Sequence, residues 1–387
     1  MTGRLRGWLI PLLSYLVSTA VTWLAAALAG VDYWSADGRR RWDSEHYLSI
    51  AARGYESFRC IDRYPNFPDV WCGTTAWFPG YPMAIRAVAA LGVPLEWAGV
   101  LVSEVCLLAS LLIVWGLLGN RLDRNTGGAM ALAAVFPGGV YFHAVFPISL
   151  CLLGLLLVVV GVRRESWWLA GLGAFVALST HPVGAIGVVA LLASLLFGWR
   201  RTGWPGRVLR VGGAAVLGAL AYPASLAVIH HDTGSWTIFA EHQREAYGQG
   251  GLMNPVEQVI RFWQTPFWEW YPPAPDAPWL VQVSTHAHQY QLVVNLALIT
   301  VIAVVAVWRA VRRDLTAWQA VVVLLAIGAV AMPLVAGTAT SWYRHGALML
   351  IALPVLRLPR WGWALGVVAC GVQAVLLAGM WFGGSLV

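Results

Sequence analysis

Along this chain apolar residues come in long unbroken runs, without the alternation of a half-buried strand or the one-sided stripe of a surface helix. Runs at 8–29, 93–119, 128–142, 146–162, 166–180, 183–199, 208–229, 290–308, 315–336, 345–357 and 361–383 predict eleven helices. A bilayer core is matched by about 20 apolar residues, and shorter spans are tolerated inside a bundle. The pattern is that of an all-α polytopic membrane protein with about 11 transmembrane helices. Two long polar stretches, 30–92 and 230–289, interrupt it. Repeats, low-complexity tracts and soluble domains are absent from the sequence, so 1–387 reads as one integral-membrane domain. Arg4 and Arg6 precede the first run, as they would in a signal peptide, but about 22 apolar residues are long for a signal h-region. We read it as a retained first helix.

Composition agrees. Of 387 residues, 59% are hydrophobic and 11% charged, against about 25% charged in an ordinary soluble domain. Soluble, disordered and disulfide-scaffold classes are excluded. All 25 basic residues are Arg, and their placement sets an orientation. With a cytoplasmic N-terminus, fifteen Arg fall in inner segments against three inner acids (Asp123, Glu165 and Asp314). The remaining ten Arg stand against fifteen acids, which leaves the outer side net negative. This is the positive-inside pattern. The formal charge of +7 therefore reflects topology and gives no indication of nucleic-acid binding. All nine His (His46, His143, His181, His230, His231, His242, His286, His288 and His345) fall on the outer side or at outer helix ends, as do both long loops. Chemistry is expected on the extracytoplasmic face of the plasma membrane. Cys60 and Cys72, the two Cys outside apolar runs, form a disulfide there or remain two free loop thiols.

The first outer loop holds the densest ionisable cluster, Arg39-Arg40-Arg41-Trp42-Asp43-Ser44-Glu45-His46-Tyr47. Residues 44–53 predict a short amphipathic helix with Tyr47, Leu48, Ile50 and Ala51 on its apolar face and Gly54 ending it. Asp43 then either caps that helix or serves as a general base held at a rigid helix start. Further on, Trp77-Phe78-Pro79-Gly80-Tyr81-Pro82 makes a stiff return to the membrane surface. In the second loop, 254–264 predict a capped amphipathic helix with Pro255 in its first turn. Trp236, Phe239, Tyr247, Phe262, Trp263, Phe267, Trp268, Trp270, Tyr271 and Trp279 make that loop aromatic enough to cover an acceptor. His230-His231-Asp232 and His286-x-His288 offer no convergent third partner. No cofactor is expected, and a metal is not favoured.

The order W-D-S-E-H-Y-L-S-I-A-A-R-G-Y (42–55) and then W-F-P-G-Y-P-M-A-I-R (77–86) resembles the PIG-V family. Its members are GT-C mannosyltransferases that use a lipid-phosphate-mannose donor, and they include the enzyme adding the second mannose to GPI anchors. Phe136-Pro137, Thr180-His181-Pro182-Val183-Gly184 and Tyr343-Arg344-His345 resemble later family segments more weakly. Two positions depart. Val145-Phe146-Pro147-Ile148-Ser149 stands where the family has a Tyr-x-Glu element, and His181 where it tends to have Arg.

The resemblance implies a GT-C fold and an inverting transfer of mannose from a polyprenyl-phosphate-mannose donor to a glycolipid or glycan acceptor, among membrane lipids. It puts Asp43 in the family's catalytic position, with Glu45 as the alternative carboxylate. Arg344 is the sole charge between Gly337 and His345. As a guanidinium it suits a leaving phosphate. His345 and His181 are further phosphate donors. Trp42, Glu45, His46, Tyr47, Phe78 and Tyr81 are the expected substrate-binding side chains. Two alternatives stay open: a GT-C transferase for another polyprenyl-phosphate sugar, and a non-catalytic transporter or scaffold. In a transporter reading Glu104 would be the deep intramembrane charge.

Overall fold

Backbone surrounded by lipid must satisfy its N–H and C=O groups within the segment, so the apolar runs form helices. The computed structural model describes residues 2–196, 204–248, 251–264, 273–285, 288–337 and 342–384. After α1 (Thr2–Leu28), the first long loop carries α2 (Ser44–Arg53), α3 (Cys60–Arg63) and α4 (Gly80–Ala89). It also holds an antiparallel ribbon of β1 (Ser57–Arg59) and β2 (Trp71–Gly73), with Phe58 opposite Cys72. There follow α5 (Leu95–Leu117), α6 (Arg124–Ala134), α7 (Val140–His143), α8 (Ile148–Arg163), α9 (Trp167–Thr180), α10 (Ala185–Ala193), α11 (Trp204–Ala219) and α12 (Ala221–Thr233). The second long loop carries α13 (Ile238–Tyr247), α14 (Pro255–Gln264) and α15 (Trp279–Thr285). The chain closes with α16 (His288–Val311), α17 (Ala317–Val335), α18 (Trp342–His345) and α19 (Arg360–Phe382).

Among the described residues, six helices are long and apolar enough to cross a membrane: Gly7–Leu28, Leu95–Leu117, Pro205–Thr233, His288–Val311, Ala317–Val335 and Arg360–Phe382. The other five predicted runs are helical but shorter. The 128–142 run breaks at Phe136-Pro137-Gly138 into α6 and α7, because proline removes an amide and glycine permits the φ of +73° found at Gly138. The 345–357 run is a 3₁₀ helix, Gly346–Val355, with all ten residues buried. Such a length is unusual for 3₁₀ geometry, and the neighbouring helices enclose it. At the centre α8 and α9 meet backbone to backbone: a Cβ on Gly154 would lie 2.7 Å from the Ala177 amide, and one on Gly173 would lie 2.6 Å from the Gly154 carbonyl. Small residues let membrane helices approach in this way.

The first loop is fixed at several points. Cys60 and Cys72 form a disulfide that closes the ribbon, which decides between the two readings left open by the sequence. Gly54 ends α2 at φ +85°, its amide donating to Ile50. A Cβ there would stand 2.5 Å from an Asp232 carboxylate oxygen, and the Tyr55 amide donates to that same oxygen at 2.8 Å. Arg86 donates to the Ala51 and Ile50 carbonyls at 2.8 and 2.9 Å, closing the C-terminal end of α2. The amphipathic helix predicted at 44–53 is thus present, with Tyr47, Leu48, Ile50 and Ala51 buried. The one predicted at 254–264 is present as α14. Phe267, Trp268, Trp270, Tyr271 and His286 lie outside the described residues.

Candidate functional site

Asp43 occupies the N-cap position of α2, yet its side chain makes no capping hydrogen bond. Its Oδ2 instead accepts from Arg344 Nη1 at 2.7 Å, across 301 residues of sequence. The simple helix-cap role is therefore replaced by an ion pair joining the first loop to α18. Both side chains are largely covered but still reachable, 13% and 14% exposed. Trp42, immediately before Asp43, has φ +51°. A non-glycine residue held there costs about 1–3 kcal/mol and persists only where the surroundings over-determine it.

Beneath the pair lies an aromatic floor. The Phe146 ring centre is 5.5 Å from the Arg344 guanidinium carbon. Tyr47 meets Phe146 and Tyr81 edge-on, with centroids 5.8 and 5.4 Å apart. The Tyr81 hydroxyl lies 2.9 Å from the Gly99 carbonyl, to which it donates, and 2.8 Å from Ser103 Oγ. Tyr47, Phe78 and Tyr81 are all buried, and Phe78 packs on Phe239 of α13. Tyr47 and Tyr81 support the site from below, while Phe78 belongs to a separate cluster with Leu178 and Ala221. Glu45 turns away: its side chain is 65% exposed and faces Arg40 at 3.4 Å. The two carboxylates of the motif do not converge.

Two imidazoles adjoin Arg344. The His181 and His345 rings are 4.9 Å apart. His181 Nδ1 accepts the Val183 amide at 3.2 Å, so a neutral His181 carries its proton on Nε2. His345 is buried, and neither ring nitrogen has a hydrogen-bond partner among the described residues. An unsatisfied buried polar group costs about 1–3 kcal/mol. A ligand with acceptor atoms would relieve that cost.

A wall rises on the other side, built from both loops. His46, three residues after Asp43 on α2 and so on the same helix face, stacks on Trp77 with centroids 3.7 Å apart and planes 15° apart. Trp77 meets His242 and Tyr247 edge-on at 6.2 and 6.1 Å. Burial holds the His46 imidazole below its ordinary value, with Asp43 and Glu45 opposing. Burial, with His46 adding and Glu245 opposing, pushes His242 down to about 4. Both rings are neutral at pH 7. Neighbouring rings desolvate part of the Tyr247 phenol and raise it, with the Asp43 charge adding and Arg344 opposing, so Tyr247 feels the field of the ion pair. His230 stacks on Trp236 at 4.2 Å while His231 pairs with Asp232 at 2.8 Å, and these neighbours face different partners.

Sequence reasoning missed a buried polar cluster built on Arg39 and Glu104. Arg39 Nη1 bonds Glu104 Oε1 at 2.5 Å and the His143 carbonyl at 2.9 Å, and its Nε donates to Tyr33 O at 2.9 Å. His143 Nδ1 lies 3.0 Å from Glu104 Oε2, and its Nε2 lies 2.9 Å from Ser18 Oγ. The Val145 amide donates back to the Arg39 carbonyl at 3.0 Å. The cluster ties α1, α5 and α7 to the strand of chain entering the Asp43 turn. The available signal was Glu104 itself, an acid inside a long apolar run that had to find a cation. Paired with Arg39 and His143, Glu104 is engaged in holding helices together and gives no support to the transporter reading.

No protein-family model and no curated protein matches this chain. Among solved structures, 97% of the chain aligns with 56% of archaeal oligosaccharyltransferase AglB from Archaeoglobus fulgidus in complex with an inhibitory peptide and a dolichol-phosphate, at 13% identity and a TM-score of 0.49. The apo form of the Archaeoglobus fulgidus oligosaccharyltransferase aligns over 97% and 56% of the two chains, at 13% identity and a TM-score of 0.48. Its complex with Zn and sulfate aligns over 97% and 53%, again at 13% identity and 0.48. The chain spans little more than half the length of these structures.

Proposed function

We propose that the protein is a membrane glycosyltransferase of the GT-C class, moving mannose from a polyprenyl-phosphate-mannose donor to a glycolipid or glycan acceptor on the extracytoplasmic face of the plasma membrane. The observation that carries this reading is the Asp43–Arg344 pair. It brings the first motif resembling the PIG-V family together with the late Tyr-Arg-His segment, a carboxylate against a guanidinium beside a buried imidazole that has no hydrogen-bond partner among the described residues. The transfer is balanced by these groups. The acceptor oxygen bonds the anomeric carbon as the carbon–oxygen bond to phosphate breaks, and the acceptor proton passes to Asp43. The electron pair leaves with the phosphate, facing Arg344, His345 and His181. A guanidinium carries five N–H donors in a fork, which suits bridging a carboxylate and a phosphate at once.

Arg344 is the sharpest test of the leaving-group assignment. Removing one partner of a desolvated charge pair costs about 2–5 kcal/mol, so Arg344→Ala is expected to slow transfer by tens- to thousands-fold. Arg344→Lys should restore part of the rate, keeping the charge without the fork. Transfer measured with radiolabelled polyprenyl-phosphate-mannose and cell lipids reads both variants. Unchanged rates would reduce Arg344 to a structural partner of Asp43.

The orientation is tested separately. Ser35→Cys and Pro275→Cys, one in each long loop, are expected to react with a membrane-impermeant maleimide added outside intact cells. Labelling of both from the cytoplasmic side alone would invert the topology.

A further inference from the structure

The wall beside Asp43 is more ordered than a belt of interfacial aromatics requires. Trp77 is covered on one face by His46, and two of its edges are met by His242 and Tyr247. His242 in turn lies under Tyr247, with ring planes 30° apart and centroids 5.6 Å apart. Three polar contacts pin α13 onto the first loop: Thr75 Oγ to His242 Nδ1 at 2.8 Å, Gln243 Nε2 to the Ala76 carbonyl at 2.8 Å, and Arg59 to Glu245 at 2.7 Å. Tyr247, the last residue of α13, remains 47% exposed. One ring is thus presented to solvent on a rigid stack whose other end, His46, lies one helical turn from Asp43.

We propose that Tyr247 and His46 form the acceptor subsite, binding an uncharged pyranoside ring whose hydroxyl is directed at Asp43. The proposal rests on the transferase reading and deepens it. An exposed aromatic face backed by further rings offers a flat apolar surface to the C–H face of a sugar. The phenol and imidazole at its edge offer one donor and one acceptor each to hydroxyl groups. Charge points to the same class of ligand. Both wall imidazoles are neutral at pH 7, and Arg59 of the adjoining ribbon is occupied by Glu245 and Asp69. Neither the wall imidazoles nor the already paired Arg59 favours a phosphorylated ligand.

The experiment uses the full chain in nanodiscs. Saturation-transfer NMR with methyl α-D-mannopyranoside reads sugar binding, and transfer kinetics with polyprenyl-phosphate-mannose and a mannoside glycolipid read KM and kcat. Tyr247→Ala is expected to weaken the saturation signal and raise the acceptor KM by about tenfold, the size of a lost ring contact, with donor KM unchanged. Tyr247→Phe, which keeps the ring, should retain most of the binding, and His46→Ala should lose as much as Tyr247→Ala. Trp34→Ala, an exposed aromatic outside the wall, should match wild type. Sugar binding and acceptor KM both unaffected by Tyr247→Ala and His46→Ala would overturn the subsite even if mannose transfer is confirmed. Sugar binding that depends on both residues, in a protein that never consumes the donor, would uphold the subsite while removing the transferase reading.

Discussion

Asp43→Asn is expected to reduce sugar transfer by about 10²–10⁴-fold, the usual contribution of a general base. The amide keeps the shape of the carboxylate, and its oxygen can still accept from Arg344, which now donates to Oδ2 at 2.7 Å. What is lost is basicity. The start of α2 should be preserved, since the side chain contributes no capping bond. Arg344 loses its countercharge but keeps a hydrogen-bond acceptor, so stability falls without loss of the donor phosphate's partner. Single-turnover transfer and donor binding measured on the same preparation separate the two effects. Transfer at near wild-type rate would reduce Asp43 to an ion-pair partner. Glu45, largely exposed and turned toward Arg40, would then have to be tested in its place.

The second large effect is on stability and arises away from the reacting atoms. Arg39 and Glu104 are buried together, with side chains 6% and 13% exposed; without Glu104 the Arg39 charge is uncompensated, and without Arg39 the Glu104 carboxylate keeps only His143. Breaking such a pair costs about 3–5 kcal/mol. Glu104→Ala and Arg39→Ala are each expected to lower the unfolding midpoint in detergent sharply. The double variant Arg39→Met/Glu104→Leu should stand above either single variant, because no unpaired charge remains. A double variant worse than both singles would show that the hydrogen bonds to Tyr33, His143 and Ser18 matter more than charge compensation.

Much of the helical scaffold was legible because lipid imposes a simple rule on sequence: a long apolar run must become a helix. Gly54 and Pro255 likewise announced the ends of α2 and α14 in their own residue types. Where several helices enclose a short run the rule weakens, and 345–357 became a 3₁₀ helix that no periodicity signals. The Asp43 cluster was visible as charge density, and the family resemblance put Arg344 in the same site, but their direct ion pair was not legible. Local sequence makes Asp43 a cap, and only folding brings Arg344 across 301 residues to it. Arg39 was hidden for a related reason: the triplet Arg39-Arg40-Arg41 reads as an interfacial patch, while the fold buries one member and leaves Arg40 to Asp37, Glu45 and Glu96. Tyr247 lay unremarked among ten loop aromatics, since stacking on His242 depends on how α13 docks.

The central claim is that the Asp43–Arg344 pair is the point at which a lipid-linked sugar phosphate is bound and its sugar transferred. A structure of the Asp43→Asn protein with polyprenyl-phosphate-mannose tests it most directly. The expected result places phosphate oxygens within hydrogen-bond distance, about 3 Å, of Arg344 and His345, with residue 43 on the opposite side of the anomeric carbon. A donor whose phosphate lies remote from Arg344, with residue 43 far from the sugar, would contradict it.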